Sequence, residues 1–177
     1  MKKLKYILSF LFIVFFSSTS YSQDKIATLD VVQLLKDSKA AISMKDQLNA
    51  IAKKYTDEDK KRQKEIQKQE EELLRQKATL TPEAFSDRKN AFEKVVIEFN
   101  KSSQNKRKAL SVAEKKAVNQ IEEKVEVIVK KIIETDKISA VFRKTAVILG
   151  DTSIDITDKV VEELDKELSS VTVNVSP

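Results

Sequence analysis

Residues 33–137 constrain the fold most, because this stretch contains one proline, no glycine and mainly Glu, Lys, Gln, Asp and Arg. Such a composition predicts two long helices joined by a single turn. The turn is predicted at residues 80–83, where Thr81 can accept a backbone N–H as the N-cap of the second helix. Pro82 then occupies the first helical position, which needs no N–H donor, and Glu83 favours the positive helix end. Pro82 is therefore expected to start a second helix and not to kink a single long one.

A chain that folds back at this turn pairs residues whose numbers have a constant sum, and a sum of 165 places apolar residues opposite one another. Both arms then step by alternating fours and threes, which is the seam spacing of a left-handed coiled coil. The predicted seam consists of Leu48, Tyr55, Ile66, Leu73, Leu80, Phe85, Phe92, Val96, Phe99 and Leu110. In this register the three phenylalanines are mostly buried and do not form an exposed aromatic binding surface. The alternative is two helices with unrelated partners, although a single register serves both arms.

Two polar layers interrupt this seam near the middle of the arms. The same register places Asp59 opposite Lys106 and Arg62 opposite Ser103. These layers could be the place where the hairpin bends. They could also fix the register, because a matched charge pair disfavours slipped pairings.

The first 22 residues have the three-part form of a secretory signal peptide. Lysines at positions 2, 3 and 5 precede an apolar run at 6–16, and small residues lead to Ser22. A retained membrane anchor is the alternative, but the run is much shorter than the roughly 20 residues that a spanning helix needs. Cleavage after Ser22 would leave a single mature chain of residues 23–177, and losing three lysines lowers its net charge from +5 to +2.

Composition excludes several kinds of chemistry. The chain has no Cys and no His, which removes thiol chemistry, disulfides and the commonest general base and metal ligand. Its one glycine cannot form a glycine-rich phosphate loop. We therefore expect no cofactor, no metal and no enzyme activity. A pI near 9.2 suggests nucleic-acid binding only weakly, because the signal lysines supply much of the charge.

Charge is unevenly distributed along the chain. Residues 53–108 carry 16 basic and 11 acidic side chains, whereas residues 150–177 carry two basic and seven acidic ones. Mixed charge on a helix often marks only a solvated face. The basic excess could also steer acidic partners, such as anionic lipid head groups or acidic unfolded chains, toward the arms.

Short β-prone segments flank the long hairpin. A strand is predicted at 25–30, a β-hairpin at 138–149 and a last helix at about 156–168. Residues 169–177 alternate like a strand, but we expect a frayed tail there. A sheet this small leaves its edges unpaired and is only marginally stable alone. The composition adds to this, because a chain with 34% charged and 6% aromatic residues cannot fill a large core. Joining several copies around an axis would remove the edges.

These features together resemble the Skp (OmpH-like) periplasmic chaperone family. The specific motifs are Lys-Ile-Ala-x-x-Asp at 25–30, Ala-Val-Ile-Leu at 146–149 and Asp-Ile-Thr-Asp-x-Val at 155–160. The resemblance implies a periplasmic, ATP-independent holdase for unfolded outer-membrane β-barrel proteins. It also implies a homotrimer in which short strands form a central β-body and helical hairpins surround a cavity. Gly150 departs from the pattern, because a larger residue is expected at the end of that strand.

The resemblance assigns a set of residues to the oligomerisation body. These residues are Ile26, Ala27, Leu29, Val141, Ala146, Val147, Ile148 and Leu149. No motif on the arms allows individual client-contact residues to be carried over, so client binding is assigned to the arm surface only. The alternative function is a structural or adaptor coiled coil of the cell envelope, for which the same hairpin would suffice.

Overall fold

A computed structural model describes residues 24–176, and the predicted signal peptide lies outside them. The chain forms β1 (Lys25–Leu29), α1 (Val31–Asp37), α2 (Lys39–Gln76), α3 (Pro82–Asp136), β2 (Ile138–Arg143) and α4 (Thr157–Glu167). Two 3-10 turns, Lys144–Ala146 and Thr152–Ile154, lie between β2 and α4. The predicted fold class is confirmed, because the chain is mainly helical with two long helices and a small sheet.

The helices α2 and α3 form the two arms of a long hairpin. Its turn follows Gln76, and the Thr81 side chain accepts a hydrogen bond from the Ala84 N–H at 3.3 Å. Pro82 is the first residue of α3. At the far end, Lys137 adopts the left-handed conformation (φ 55°), which ends α3 and directs the chain into β2.

The first arm is not one continuous helix from Gln33, which corrects the sequence expectation. Ser38 is extended between α1 and α2, and its side chain accepts a hydrogen bond from the Ala41 N–H at 3.4 Å. The Lys39 N–H donates to the Asp165 carboxylate of α4 at 2.8 Å. Serine offers backbone groups an alternative partner, and here a carboxylate from a distant helix completes the new N-terminus. The helix α1 is thereby free to pack against α4 separately.

The sheet contains two parallel strands, with Ile26 opposite Ala140 and Leu29 opposite Arg143. The whole hairpin forms the connection between them. On the other side of β1, Thr28 makes a single bridge with Asp155, and its carbonyl accepts from the Ile156 N–H at 2.9 Å. The strand β1 is therefore the central element of the base, which we define as β1, β2, α1, α4 and the segment 144–156.

The predicted β-hairpin over residues 138–149 is not formed within this chain. Only its first half is a strand, and the chain then enters the Lys144–Ala146 turn. A two-residue hairpin turn requires positive φ, which Asn and Gly supply and which Arg143 and Lys144 do not favour. Lys144 instead forms an ion pair with Asp155 at 2.7 Å. Residues 147–149 therefore leave the sheet.

The core lies where the hairpin meets the base. Its largest completely buried side chains include Leu34, Ile121, Ile128, Val160 and Leu164. Within the hairpin, no residue from 45 to 102 is fully buried. The arms therefore extend from a packed root as two helices that share only a thin seam.

The segment after α4 is not a frayed tail, which corrects a second expectation. Residues 169–176 form neither helix nor strand, yet Val171 and Val173 are 4% and 8% exposed. Both belong to the apolar core cluster, and Val175 packs against it. Alternating valines give this segment an apolar face, whose burial outweighs the cost of ordering it.

Candidate functional site

The arms carry a narrow apolar seam. All ten predicted seam residues are partly buried and none is fully buried. The three phenylalanines of α3 share this intermediate state, so they are neither a completely buried core nor a freely exposed stripe. Each apolar layer therefore contributes to packing and still presents part of its surface to solvent.

Shallow grooves expose one of these layers from more than one direction. A groove of about 450 Å³ near the tip has an apolar floor that includes Leu73, Ala91 and Phe92, flanked by Lys68, Glu72 and Arg88. A second groove, of about 370 Å³, shares Leu73 and Phe92 and adds Leu74 and Phe85. Leu74 and Ile97 are 62% and 64% exposed. These surfaces combine apolar contact with charged rims and lack a deep shaped pocket.

The mid-arm polar layer is a small network around Lys106. Its ammonium group donates to Asp59 at 2.8 Å and to Glu58 at 2.9 Å, and it lies 5.2 Å from the centre of the Tyr55 ring. The buried hydroxyl of Ser103 donates to the other oxygen of Asp59 at 2.8 Å.

The contacts of this network shift the pKa values of Asp59 and Lys106. Burial raises the pKa of Asp59, but the hydrogen bonds from Lys106 and Ser103 outweigh it and leave that pKa below its ordinary value. The hydrogen bond to Asp59 raises the pKa of Lys106, and burial only partly opposes it. The predicted pairing of Arg62 with Ser103 is wrong: Arg62 is exposed and bonds Glu65 on its own helix at 2.9 Å. Ser103 instead donates its hydrogen bond to Asp59, which lies about one turn closer to the root than Arg62 on α2.

The predicted oligomerisation residues fall into two groups. Ala27 and Leu29 are buried inside the protomer, and Val141 and Val147 are partly buried. Ile26 is 49% exposed, Ile148 is 96% exposed and Leu149 is 92% exposed. Ala146 is exposed, as is Phe142, which the sequence analysis did not single out. The exposed large apolar side chains of β1, of β2 and of the segment that follows β2 are thus Ile26, Phe142, Ile148 and Leu149.

A groove of about 330 Å³, lined in part by Phe142, lies between α1, α3 and β2. Its lining includes Leu35, Val125 and Val129 from the helices and Val141 from the strand. The base therefore presents both projecting apolar side chains and an open apolar recess.

Within residues 24–176, acidic side chains form no cluster of three or more that could hold a metal ion. Across the same part of the chain, no helix has the length and hydrophobicity needed to span a membrane.

Sequence reasoning missed four residues that make notable contacts or exposed apolar surface on the arms. Glu58 escaped because it lies one position from the seam, although its side chain reaches Lys106 across the hairpin. Leu74 and Ile97 are apolar residues that fall outside the paired layers of the predicted register. Apolar residues at such positions are the sequence signal by which exposed apolar side chains on the arms could have been found. Gln47 has no distinguishing sequence pattern, and its partner is the segment 171–173.

The fold is thus a long helical hairpin on a small parallel sheet, with apolar side chains exposed on the arms and at the base. The family model "Outer membrane protein (OmpH-like)" matches residues 25–164. The chain belongs to this OmpH-like family.

The fold is also similar to that of a solved structure from Caulobacter crescentus CB15, described as a "putative outer membrane chaperone (OmpH-like)". The TM-score is 0.81 at 18% identity, over 87% of this chain and 91% of the other. At this identity the likeness shows a shared fold. No curated protein matches the chain.

Proposed function

We propose that this protein is a periplasmic, ATP-independent holdase chaperone, which binds unfolded outer-membrane β-barrel proteins between its arms and prevents their aggregation. The observation that carries the proposal is the state of the arms: a seam that is only partly buried, opening into shallow apolar grooves with charged rims. A binder of many different unfolded sequences needs adaptable shallow surface and not a shaped pocket. Membership of the OmpH-like family and the name of the Caulobacter protein support the same function.

The proposal includes assembly into a homotrimer through the base. The strand β2 pairs with β1 on one side, and residues 147–149 follow it with two almost fully exposed large apolar side chains. Unpaired edges and exposed apolar groups are a liability that a neighbouring copy removes. Family resemblance supplies the number three. A ring of three bases would place three hairpins around one cavity.

Charge on the arms supports fast capture. The basic excess over residues 53–108 would attract acidic unfolded chains, and it would also attract anionic lipid head groups at a membrane surface. Such attraction raises the association rate more than it fixes the affinity.

The proposal is tested by measuring light scattering of a urea-unfolded β-barrel protein after dilution, with the mature chain present and ATP absent. We expect suppression of aggregation at a small molar excess of chaperone. The variant Ala91→Glu places a charge on the floor of the larger groove and should weaken suppression. Asn90→Glu adds the same charge at the neighbouring exposed position, outside both grooves, and should behave like the unmodified chain. Unimpeded aggregation with the unmodified chain would favour the structural coiled-coil function instead.

A further inference from the structure

The segment 171–175 is bound along the hairpin root in a way that resembles a captured β-strand. Its side chains alternate strictly: Val171 and Val173 are buried and Val175 is partly buried, whereas Thr172 and Asn174 are exposed. This segment lies beyond residues 25–164, which match the family model.

Gln47 of α2 holds the backbone of this segment with a single side-chain amide. Its Nε2 donates to the Val171 carbonyl at 2.7 Å, and its Oε1 accepts from the Val173 N–H at 3.1 Å. A residue in a parallel β-ladder makes this same pair of bonds to the residues on either side of its partner. The Gln47 amide therefore takes the place of one residue of a neighbouring strand.

The amide is held in position from its own helix. Gln47 Nε2 also lies 3.1 Å from the Ser43 hydroxyl and 3.3 Å from the Ser43 carbonyl, one turn earlier. Its bonds to the segment involve only backbone atoms, so they do not depend on the identity of the bound side chains. Recognition by strand addition works in this way: main-chain bonds give affinity, and pockets for alternate side chains give specificity.

The surface that holds this segment includes Gln47 of α2, and we call it the root groove. It continues along α3 beyond the two buried valines. A recess of about 310 Å³ is lined by Asn174 and Ser176 of the segment and by α3 residues that include Ala109, Val112 and Lys116. Val112 is 45% exposed there. The groove thus offers more apolar surface than the segment covers.

We propose that this root groove is a binding site for extended chain with alternating apolar side chains, and that residues 171–175 occupy it in cis as a stand-in for a client strand. The inference rests on the proposed function for the identity of the client. Strands of outer-membrane barrels alternate apolar and polar residues with a period of two, which is the pattern of Val-Thr-Val-Asn-Val. A segment tethered to its own site competes at high effective concentration, so it would shield the groove until a client strand displaces it.

The test measures fluorescence anisotropy of a labelled peptide of residues 168–176 with the full mature chain and with a chain lacking residues 169–177. We expect the shortened chain to bind the peptide at least about tenfold more tightly, because the tethered competitor is gone. An unlabelled β-strand peptide from an outer-membrane barrel should displace the probe. A peptide of the same composition with its three valines adjacent should not.

Matched variants separate the proposed contacts from general effects. In the shortened chain, Gln47→Ala should weaken binding, whereas Gln67→Ala on the exposed part of the same helix should not. In the full chain, which retains the segment, Val173→Thr keeps the side-chain shape but weakens docking, so it should increase probe binding. Thr172→Val at the exposed neighbour should leave binding unchanged. Circular dichroism checks that each variant is folded.

Three results would overturn the inference: no probe binding by either the shortened chain or the Val173→Thr chain, equal effects of Gln47→Ala and Gln67→Ala, or failure of the strand peptide to compete. The anisotropy measurement does not depend on aggregation. A chain that binds the probe but does not suppress aggregation contradicts the proposed function alone. A chain that suppresses aggregation but never binds the probe contradicts the root groove alone.

Discussion

Lys106 is the centre of the polar network in the middle of the arms. Its side chain is 16% exposed and bonds two carboxylates of α2, one of which also accepts from the buried Ser103 hydroxyl. Pairing of Asp59 with Lys106 follows from the helical register, so it could be predicted from the sequence. The bonds of Ser103 and Glu58 could not, because they depend on how two long side chains lean across the interface.

Asp59→Asn tests the stabilising role of this layer. Folding lowers the pKa of Asp59. The stabilisation that its carboxylate provides is therefore fully present above the pKa of the unfolded chain, near 3.9, and is lost as the pH falls through the lower pKa of the folded chain. At pH 7 we expect the substitution to lower the free energy of unfolding by roughly 1 kcal/mol, because Asp59 belongs to a partly exposed ion pair and accepts two hydrogen bonds. Thermal unfolding followed by circular dichroism should show this loss at pH 7 and near-equality with the unmodified chain at pH 2.

Asp57, an exposed carboxylate two positions before Asp59, provides the control. Asp57→Asn should leave the melting temperature almost unchanged at both pH values. A pH-independent difference between the Asp59→Asn and unmodified chains would show that the carboxylate charge is not what stabilises the layer.

At the scale of the helices, the register decides which residues pack and which face solvent. The sum of 165 stays a prediction, made because apolar positions on both arms repeat with the same period, and the Asp59–Lys106 hydrogen bond is one contact that agrees with it. The break at Ser38 could not be predicted, because it depends on Asp165, a residue 126 positions from Lys39 that only the folded base brings to the Lys39 N–H. The docked segment after α4 was missed for a similar reason: its alternation fits a strand, but its partner is a helix side chain.

A disulfide test addresses the register directly, and the chain has no native cysteine to interfere. Ile66→Cys with Phe99→Cys should place two Cα atoms within the roughly 4.4–6.8 Å that a disulfide needs. Oxidation should link this pair readily, as measured by a mobility shift on a non-reducing gel. Glu70→Cys with Phe99→Cys is offset by one turn and should remain mostly reduced. Equal rates for the two pairs would show that the register of 165 is wrong.

For the whole molecule, the lack of a β-hairpin at residues 138–149 within one protomer bears on how copies of the chain assemble. The sequence supports β-structure over 138–149, yet only Ile138–Arg143 forms a strand in the single protomer. A residue pattern reports the propensity to form a strand but does not identify the strand's partner. We propose that residues 147–149 find their partner in a neighbouring protomer, which would explain why Ile148 and Leu149 are almost fully exposed within residues 24–176.

At the same scale we propose that three copies join through the base to hold an unfolded client between their arms. The most direct test of this proposal is the light-scattering mass of the mature chain, alone and with an unfolded β-barrel protein, beside the variant Ile148→Asp with Leu149→Asp. We expect a mass of three chains for the protein alone, three chains plus one client in the mixture, and a smaller species that does not retain client for the variant. A monomer at micromolar concentration that gains no mass from client would contradict the proposal.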